Sequence, residues 1–196
     1  MKKVILVLAI SLMVVSTGFS QIKIGLFGGY NILFNDVEGT DVTKGGIALG
    51  IKGSYSLEKL AVGAIIGYLP CFSYEAETGT SGNTLKTEGS TSDVPIIVFA
   101  QYNIGEGPYI LGGLGLHIIS TSAETTGTGL YSAYSSDISE SSAKLGLTLG
   151  GGYEIAMDKI GIELGALLNI VFSKDDEAGM ANLSMLTIHA GVNYKL

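Results

Sequence analysis

From residue 186 to residue 196 every second side chain is apolar: Leu186, Ile188, Ala190, Val192, Tyr194 and Leu196 alternate with Thr187, His189, Gly191, Asn193 and Lys195. A period of two marks a strand with one apolar and one polar face. The same alternation recurs in seven earlier segments, 22–34, 47–57, 60–74, 94–104, 109–119, 143–155 and 160–172. Ile22, Ile24, Leu26, Tyr30, Ile32 and Phe34 share one face of the first; Ile162, Leu164, Ala166, Leu168 and Ile170 share one face of the seventh. The fifth is less regular, and Ile110, Leu114, Leu116 and Ile118 form its apolar face. Each segment is near the ~9–11 residues of a tilted strand that crosses a bilayer.

The connections alternate in length. Leu57-Glu58-Lys59-Leu60, Gly105-Glu106-Gly107 and Ala156-Met157-Asp158-Lys159 are tight turns, whereas 35–46, 75–93, 120–142 and 173–182 are long and polar. The aromatics sort with them. Tyr55, Tyr102, Tyr109, Tyr153 and Tyr194 fall at the short-turn ends, and Tyr30, Phe34, Phe72, Tyr74 and Phe172 at the long-loop ends. Two aromatic belts around an aliphatic band are what the two lipid interfaces select. No helical pattern is available to cover the apolar faces. The expected fold is therefore all-β, an eight-stranded antiparallel up-and-down transmembrane β-barrel. The long loops are expected outside the cell, with both mature termini periplasmic.

Residues 1–20 read as a signal peptide: Lys2 and Lys3, then an apolar run, then Gly18-Phe19-Ser20 at the cleavage position. This leaves 21–196 as the barrel domain. Glycine is abundant, at 29 of 196 residues, and Arg and Trp are absent. Without Lys2 and Lys3 the net charge falls from −7 to about −9, which excludes nucleic acid as a natural partner. The single Cys71 rules out an internal disulfide and a cysteine-based metal site.

The C-terminal segment resembles the last strand of bacterial outer-membrane barrels, with Tyr194 as the aromatic and Leu196 where Phe is more common. The resemblance implies that Tyr194 and Leu196 are read as the assembly signal by the barrel assembly machinery. Asp93-Val94-Pro95-Ile96-Ile97, Tyr102-Asn103-Ile104 and Pro108-Tyr109-Ile110-Leu111-Gly112-Gly113-Leu114-Gly115 look like the fourth and fifth strands of the small OmpA/OmpX-type barrels. These belong to the broad outer membrane protein beta-barrel family. The resemblance implies outer-membrane lipid and lipopolysaccharide as surroundings. No peptidoglycan-binding half is expected after the last strand, and the interior Arg of some members has no counterpart.

Inward positions combine glycines with long polar side chains. Lys23, Lys52, Glu154, Glu163, His189 and Lys195 are the candidate polar cluster of the lumen. Pairing of the last two strands about residue 178 puts Glu163 opposite Asn193 and diagonal to Lys195, and closure brings in Lys23. Buried charges need partners, so a paired plug is expected, with a gated ion path as the sharper alternative. Toward the long loops the inward residues turn apolar: Leu33, Leu69, Cys71, Ile97, Phe99, Ile119, Val171 and Met185. They form either a dry packed core or a pocket for a small hydrophobic molecule.

Catalysis is not expected. His117 and His189 lack the His-x-Ser motif of outer-membrane deacylases, since Ile119 and Gly191 stand two residues on, and neither belongs to a readable triad. No cofactor and no metal are expected. The long loops hold most of the acids, with Asp175-Asp176-Glu177 the densest run. Carboxylates there suit divalent cations or keep the loops solvated. The expected function is non-enzymatic: a monomeric outer-membrane barrel with a structural or surface-interaction role through its loops. The alternative is transport or binding of a small solute or hydrophobic ligand through the lumen.

Overall fold

The computed structural model describes residues 21–34, 42–80, 82–131, 134–172 and 183–196. The expected signal peptide and the Asp175-Asp176-Glu177 run lie outside the described residues. Nine strands follow in chain order: β1 Gln21–Leu33, β2 Val42–Lys44, β3 Gly46–Leu57, β4 Leu60–Thr80, β5 Asn83–Asn103, β6 Pro108–Gly127, β7 Ser135–Met157, β8 Ile160–Val171 and β9 Leu183–Lys195. Eight of them form a closed antiparallel ring. β1 and β9 join its ends, from Lys23↔Lys195 to Leu33↔Met185. β2 pairs with β4 at residues 72–74 and prolongs the line of β3 across Gly45, whose φ of 97° only glycine adopts readily.

The alternation decides which way each strand faces. Ile24, Leu26, Leu49, Ile51, Ile66, Val98, Leu114, Leu145, Leu164, Ile188 and Val192 all lie exposed on the outside of the ring. Their neighbours in sequence point into the lumen. Two turns are as short as a hairpin allows, closing Leu57↔Leu60 and Met157↔Ile160. Their first turn residues, Glu58 and Asp158, take left-handed φ values of 51° and 53°.

Two of the expected long loops are regular sheet instead. β4 runs to Thr80 and β5 starts at Asn83; β6 runs to Gly127 and β7 starts at Ser135. These strands extend beyond the barrel as a four-stranded sheet capped by one 3-10 turn, Gly129–Tyr131. The Ser/Thr-rich composition suggests loop, but Thr is a good strand former and the hydroxyls meet across strands. Thr87 and Thr125 are 3.1 Å apart, Thr91 and Thr121 3.1 Å, Ser90 and Ser122 3.1 Å, and Ser120 and Ser141 2.9 Å.

The aromatic sorting needs two corrections. Phe72 and Tyr74 face the lumen side, because a bulge between Pro70 and Phe72 inserts one residue into β4 and inverts its faces. Pro70 has no N–H to give to a ladder, which suits that position. Tyr109 points into the barrel and is only 3% exposed. Tyr30, Phe34 and Phe172 remain exposed at one end of the ring, and Tyr102, Tyr153 and Tyr194 at the other.

The ring depends on its last residues. Deleting 194–196 removes the pairs Ile24↔Tyr194, Lys23↔Lys195 and Ile160↔Tyr194, and the bond from Leu196 N to Ile22 O at 3.0 Å. The truncated protein is expected to yield no heat-modifiable folded band when refolded into lipid vesicles. Folded migration at the full-length yield would refute this dependence.

Candidate functional site: a filled lumen and a polar sheet above it

Near the short-turn end the lumen holds a charged network centred on Glu163. Strand β8 turns Glu163 inward, directly opposite Glu154 on β7 and Gly191 on β9. Two carboxylates side by side repel, so each needs its own cation. Lys52 from β3 donates to both Glu163 oxygens at 3.1 and 3.0 Å. Lys23 from β1 donates to Glu154 Oε1 at 2.6 Å. Asn193 from β9 bridges the pair, donating to Glu163 Oε2 at 2.9 Å and to Glu154 Oε2 at 3.4 Å. Tyr109 Oη donates to Glu163 Oε1 at 2.7 Å, and His189 Nε2 lies 3.2 Å from the same oxygen. The Lys52 ammonium also sits 4.8 Å from the Tyr109 ring centre and 5.6 Å from that of Phe99.

The network is compact because glycines stand where it passes. A methyl group on Gly165 would come within 2.7 Å of Tyr109 Oη and 3.0 Å of His189 Nε2. Lys195 takes no part in it. It lines an opening of about 170 Å³ at the short-turn rim with Lys23, Glu154, Asp158 and Lys159. The expected trio of Glu163, Lys195 and Lys23 is thus replaced by two pairs, Lys52 with Glu163 and Lys23 with Glu154. The β8–β9 register is shifted by two residues from expectation: Asn193 lies opposite Gly161, not Glu163. A centre guessed from a long connection carries that error, because the shift keeps every side chain on its own face.

Above this layer the bore is apolar. Phe27, Ile65, Ile97, Phe99, Leu111 and Leu167 pack together with the Tyr109 ring. Higher still, Leu33, Cys71, Val171 and Met185 form a second cluster with Phe72, Ile119 and Leu183 against it. Leu69 is buried between them. The space among Phe27, Leu69, Ile97, Leu167 and their neighbours is about 10 Å³, room for at most one water. Of the residues expected to line a pocket for a small hydrophobic molecule, Leu69 and Ile97 border this space, which is too small to hold one. Cys71 Sγ contacts Met185 Sδ at 3.5 Å and the Leu69 carbonyl at 3.6 Å.

Polar pairs are threaded through the apolar layers. Thr187 Oγ1 donates to Asn31 Oδ1 at 2.9 Å, and Asn31 Nδ2 donates to the Pro70 carbonyl at 2.8 Å. Thr148 Oγ1 donates to Asn169 Oδ1 at 2.7 Å. His117 Nδ1 lies 2.6 Å from Asp93 Oδ2, both side chains fully buried. The sequence reading placed Asp93 in a loop. Its parity with Ile97, Phe99 and Gln101 on β5 was the signal for an inward position. Tyr109 was legible in the same way, since it shares the parity of Leu111 and His117, opposite to the outer face of its strand.

His117 and Asp93 resemble two parts of a triad, but no hydroxyl completes it. A methyl group on Gly146 would lie 2.7 Å from His117 Nε2, so that nitrogen abuts backbone, with no side-chain hydrogen-bond partner. Among the described residues no group of three or more His, Cys, Asp or Glu converges to hold a metal ion.

Beyond the barrel the sheet extension is polar on its outer face. Glu75, Glu88, Glu124 and Asp137 face one another in turn across β4, β5, β6 and β7. Lys86 pairs with Glu75 at 2.8 Å and with Glu88 at 2.5 Å. These hydrogen bonds, Glu75 first, raise the Lys86 ammonium above the ordinary lysine range. A groove of about 760 Å³ runs along these acids with Thr43, Ser73, Ser90 and Ser122.

The charge network yields two tests. Glu163→Ala strands Lys52 in a low-dielectric bore and is expected to cost about 3–5 kcal/mol in urea titrations of vesicle-folded protein. Lys52→Met combined with Glu163→Leu removes both charges and is expected to recover most of that loss. Equal destabilisation of single and double variants would show that packing, not charge, decides the effect. Separately, Gly165→Val drives a side chain into Tyr109 and His189 and is expected to cost at least ~1–3 kcal/mol by the same titration, whereas wild-type stability would refute the close fit.

No family model and no curated protein matches the sequence. Solved structures do match the fold. A major outer membrane protein from Thermus thermophilus aligns with a TM-score of 0.57 at 12% identity, over 91% of this chain and 100% of that one. Ail, the attachment invasion locus protein of Yersinia pestis, solved with the heparin analogue sucrose octasulfate, aligns at 0.50 and 16% identity, over 90% and 97%. The N-terminal β-barrel domain of Pseudomonas aeruginosa OprF aligns at 0.50 and 15% identity, over 90% and 97%. The chain has the fold of the small eight-stranded outer-membrane β-barrels.

Proposed function

We propose that the protein is a non-enzymatic integral outer-membrane barrel that serves as a rigid mount for a polar sheet on the cell surface. The observation that carries this reading is the contrast between the two parts. The bore is closed by its own side chains, with about 10 Å³ free among its central apolar residues, while four strands continue beyond it as an exposed hydroxyl- and acid-rich sheet. The exposed aliphatic band between two sets of aromatics supports membrane insertion, since water would disfavour so continuous an apolar surface. The short turns then lie in the periplasm with both ends of the mature chain, and the extension lies outside. A cleaved leader at residues 1–20 and delivery by the barrel assembly machinery through Tyr194 and Leu196 belong to the same reading, with lipopolysaccharide as the surrounding outer leaflet.

A transport role would need the Glu163 network to open and two apolar layers to part. In planar bilayers the protein is therefore expected to show no steady conductance, and a hydrophobic fluorophore is expected to show no saturable binding in its bore. A cysteine introduced at Thr125, in the extension, is expected to react with a membrane-impermeant maleimide on intact cells. Steady ion conductance, or protection of that cysteine, would overturn the reading.

A further inference from the structure

Among the described residues the sheet extension has a long edge, on β7, that no strand covers. β7 pairs with β8 only from Gly146↔Val171 downward. On the other side its pairing with β6 runs without a register break from Ser135↔Thr126 to Tyr153↔Pro108. Between the two, among the described residues, no strand pairs with the outer side of 135–143. Leu145 O accepts from Phe172 N at 2.9 Å, so odd-numbered residues of β7 direct their backbone groups to the β8 side. The antiparallel alternation then leaves the N–H and C=O of Asp137, Ser139, Ser141 and Ala143 facing outward. Proline, bulges and lysines are the usual guards of such edges. Residues 135–143 contain neither proline nor lysine, and the register shows no bulge.

The charges say what this edge accepts. The row Glu75, Glu88, Glu124 and Asp137 places one carboxylate on each successive strand, and Asp137 is the last before the edge. Lys86 compensates the first two. Glu124 and Asp137 are exposed and have no ion pair among the described residues. On the opposite face of the same edge stand Ile138, which is 64% exposed, and Glu140. A like-charged strand would set acid against acid, at a cost across each direct pair. A second copy of this chain is disfavoured for that reason, since it would bring its own Asp137 and Glu140.

We infer that the upper edge of β7 is a docking site for an extended basic polypeptide, which adds to the sheet antiparallel to residues 135–143. Its side chains follow the pleat: a basic residue opposite Asp137, an apolar one opposite Ile138, an unconstrained one opposite Ser139 and a basic one opposite Glu140. Backbone bonds to Asp137, Ser139, Ser141 and Ala143 supply the affinity, and the two acids set the register and the charge preference. The inference rests on the reading that the extension is the functional surface outside the cell.

The test uses the full-length protein folded in phosphatidylcholine vesicles. The probe is a fluorescein-labelled threonine-rich peptide as long as the open edge, with Lys-Thr-Val-Lys at its centre, so that antiparallel pairing sets its valine opposite Ile138; the control has Glu-Thr-Val-Glu there. Fluorescence anisotropy is expected to show saturable binding of the lysine peptide, weakened by added salt, and none of the glutamate peptide. Ser139→Pro and Ser141→Pro each remove an outward N–H at an edge that tolerates proline, and are expected to weaken binding about tenfold or more while heat-modifiability persists. Asp137→Lys leaves the backbone intact and is expected to shift the preference toward the glutamate peptide, which keeps the test decisive where a proline variant misfolds. Absence of saturable binding, equal affinity for both peptides, or dimers in sedimentation that both proline substitutions abolish would each overturn the edge site as one for a basic polypeptide. Such a failure beside absent conductance and a labelled extension would leave the barrel reading standing.

Discussion

Closure is the constraint on which the structure depends. A ring without edges satisfies every backbone donor and acceptor within itself, so β9 must meet β1 over the whole span from Lys23↔Lys195 to Leu33↔Met185. Once the apolar residues face out, everything left in the alternation faces in. The bore thereby receives Lys52, Glu163, Asp93, His117 and Asn169 whether or not it has use for them. Each must find a partner at the distance the register allows.

The Glu163 network meets that demand by drawing on strands far apart in the chain. Lys52 comes from β3, Tyr109 from β6 and Asn193 from β9, so one carboxylate is held from three sides. The direct Glu154–Glu163 contact across β7 and β8 would be unfavourable in isolation, and becomes stabilising once Lys23 and Lys52 each take one member. Glu163 and Lys52 are nearly solvent-free, whereas Lys23 is partly exposed, so solvent screens the Lys23–Glu154 pair more strongly. Above the charges two apolar clusters of buried side chains occupy the bore, with about 10 Å³ free among the residues of the first and their neighbours. A wall this complete leaves its upper rim and the sheet above it as the surfaces open to other molecules.

That upper sheet is built on a different principle from the barrel below. Inside the ring, side-chain identity follows the apolar/polar alternation. In the extension one face is polar and the other mixes polar residues with Tyr74, Leu85 and Ile138, and what joins the strands is backbone pairing with Thr–Thr and Ser–Ser contacts such as Thr91–Thr121 and Ser120–Ser141. Hydropathy carries no period there, which is why these strands read as loops. The bulge at Pro70–Phe72 marks the passage from one regime to the other and turns Phe72 and Tyr74 over the top of the bore.

Although Phe27, Ile65, Leu111 and Leu167 join the apolar bore beyond the set that the alternation singled out, the alternation along the chain states the ring of eight strands and the face of nearly every residue in it. The reason is that a strand's period of two is local, and five or six alternating residues suffice to state it. Tyr109 and Asp93 were legible by the same parity, though the irregular start of one strand and the polar run before the other obscured them. Which inward groups meet is set by the packing of strands around the ring. Glu163 pairs with Lys52 and not Lys195 because partnership depends on the stagger between strands, and a slip by two residues leaves every face unchanged while exchanging every partner. The length of the outer sheet was likewise a tertiary matter, since strands polar on both faces are held by their neighbours' backbones, and that pairing leaves no periodic mark along the chain.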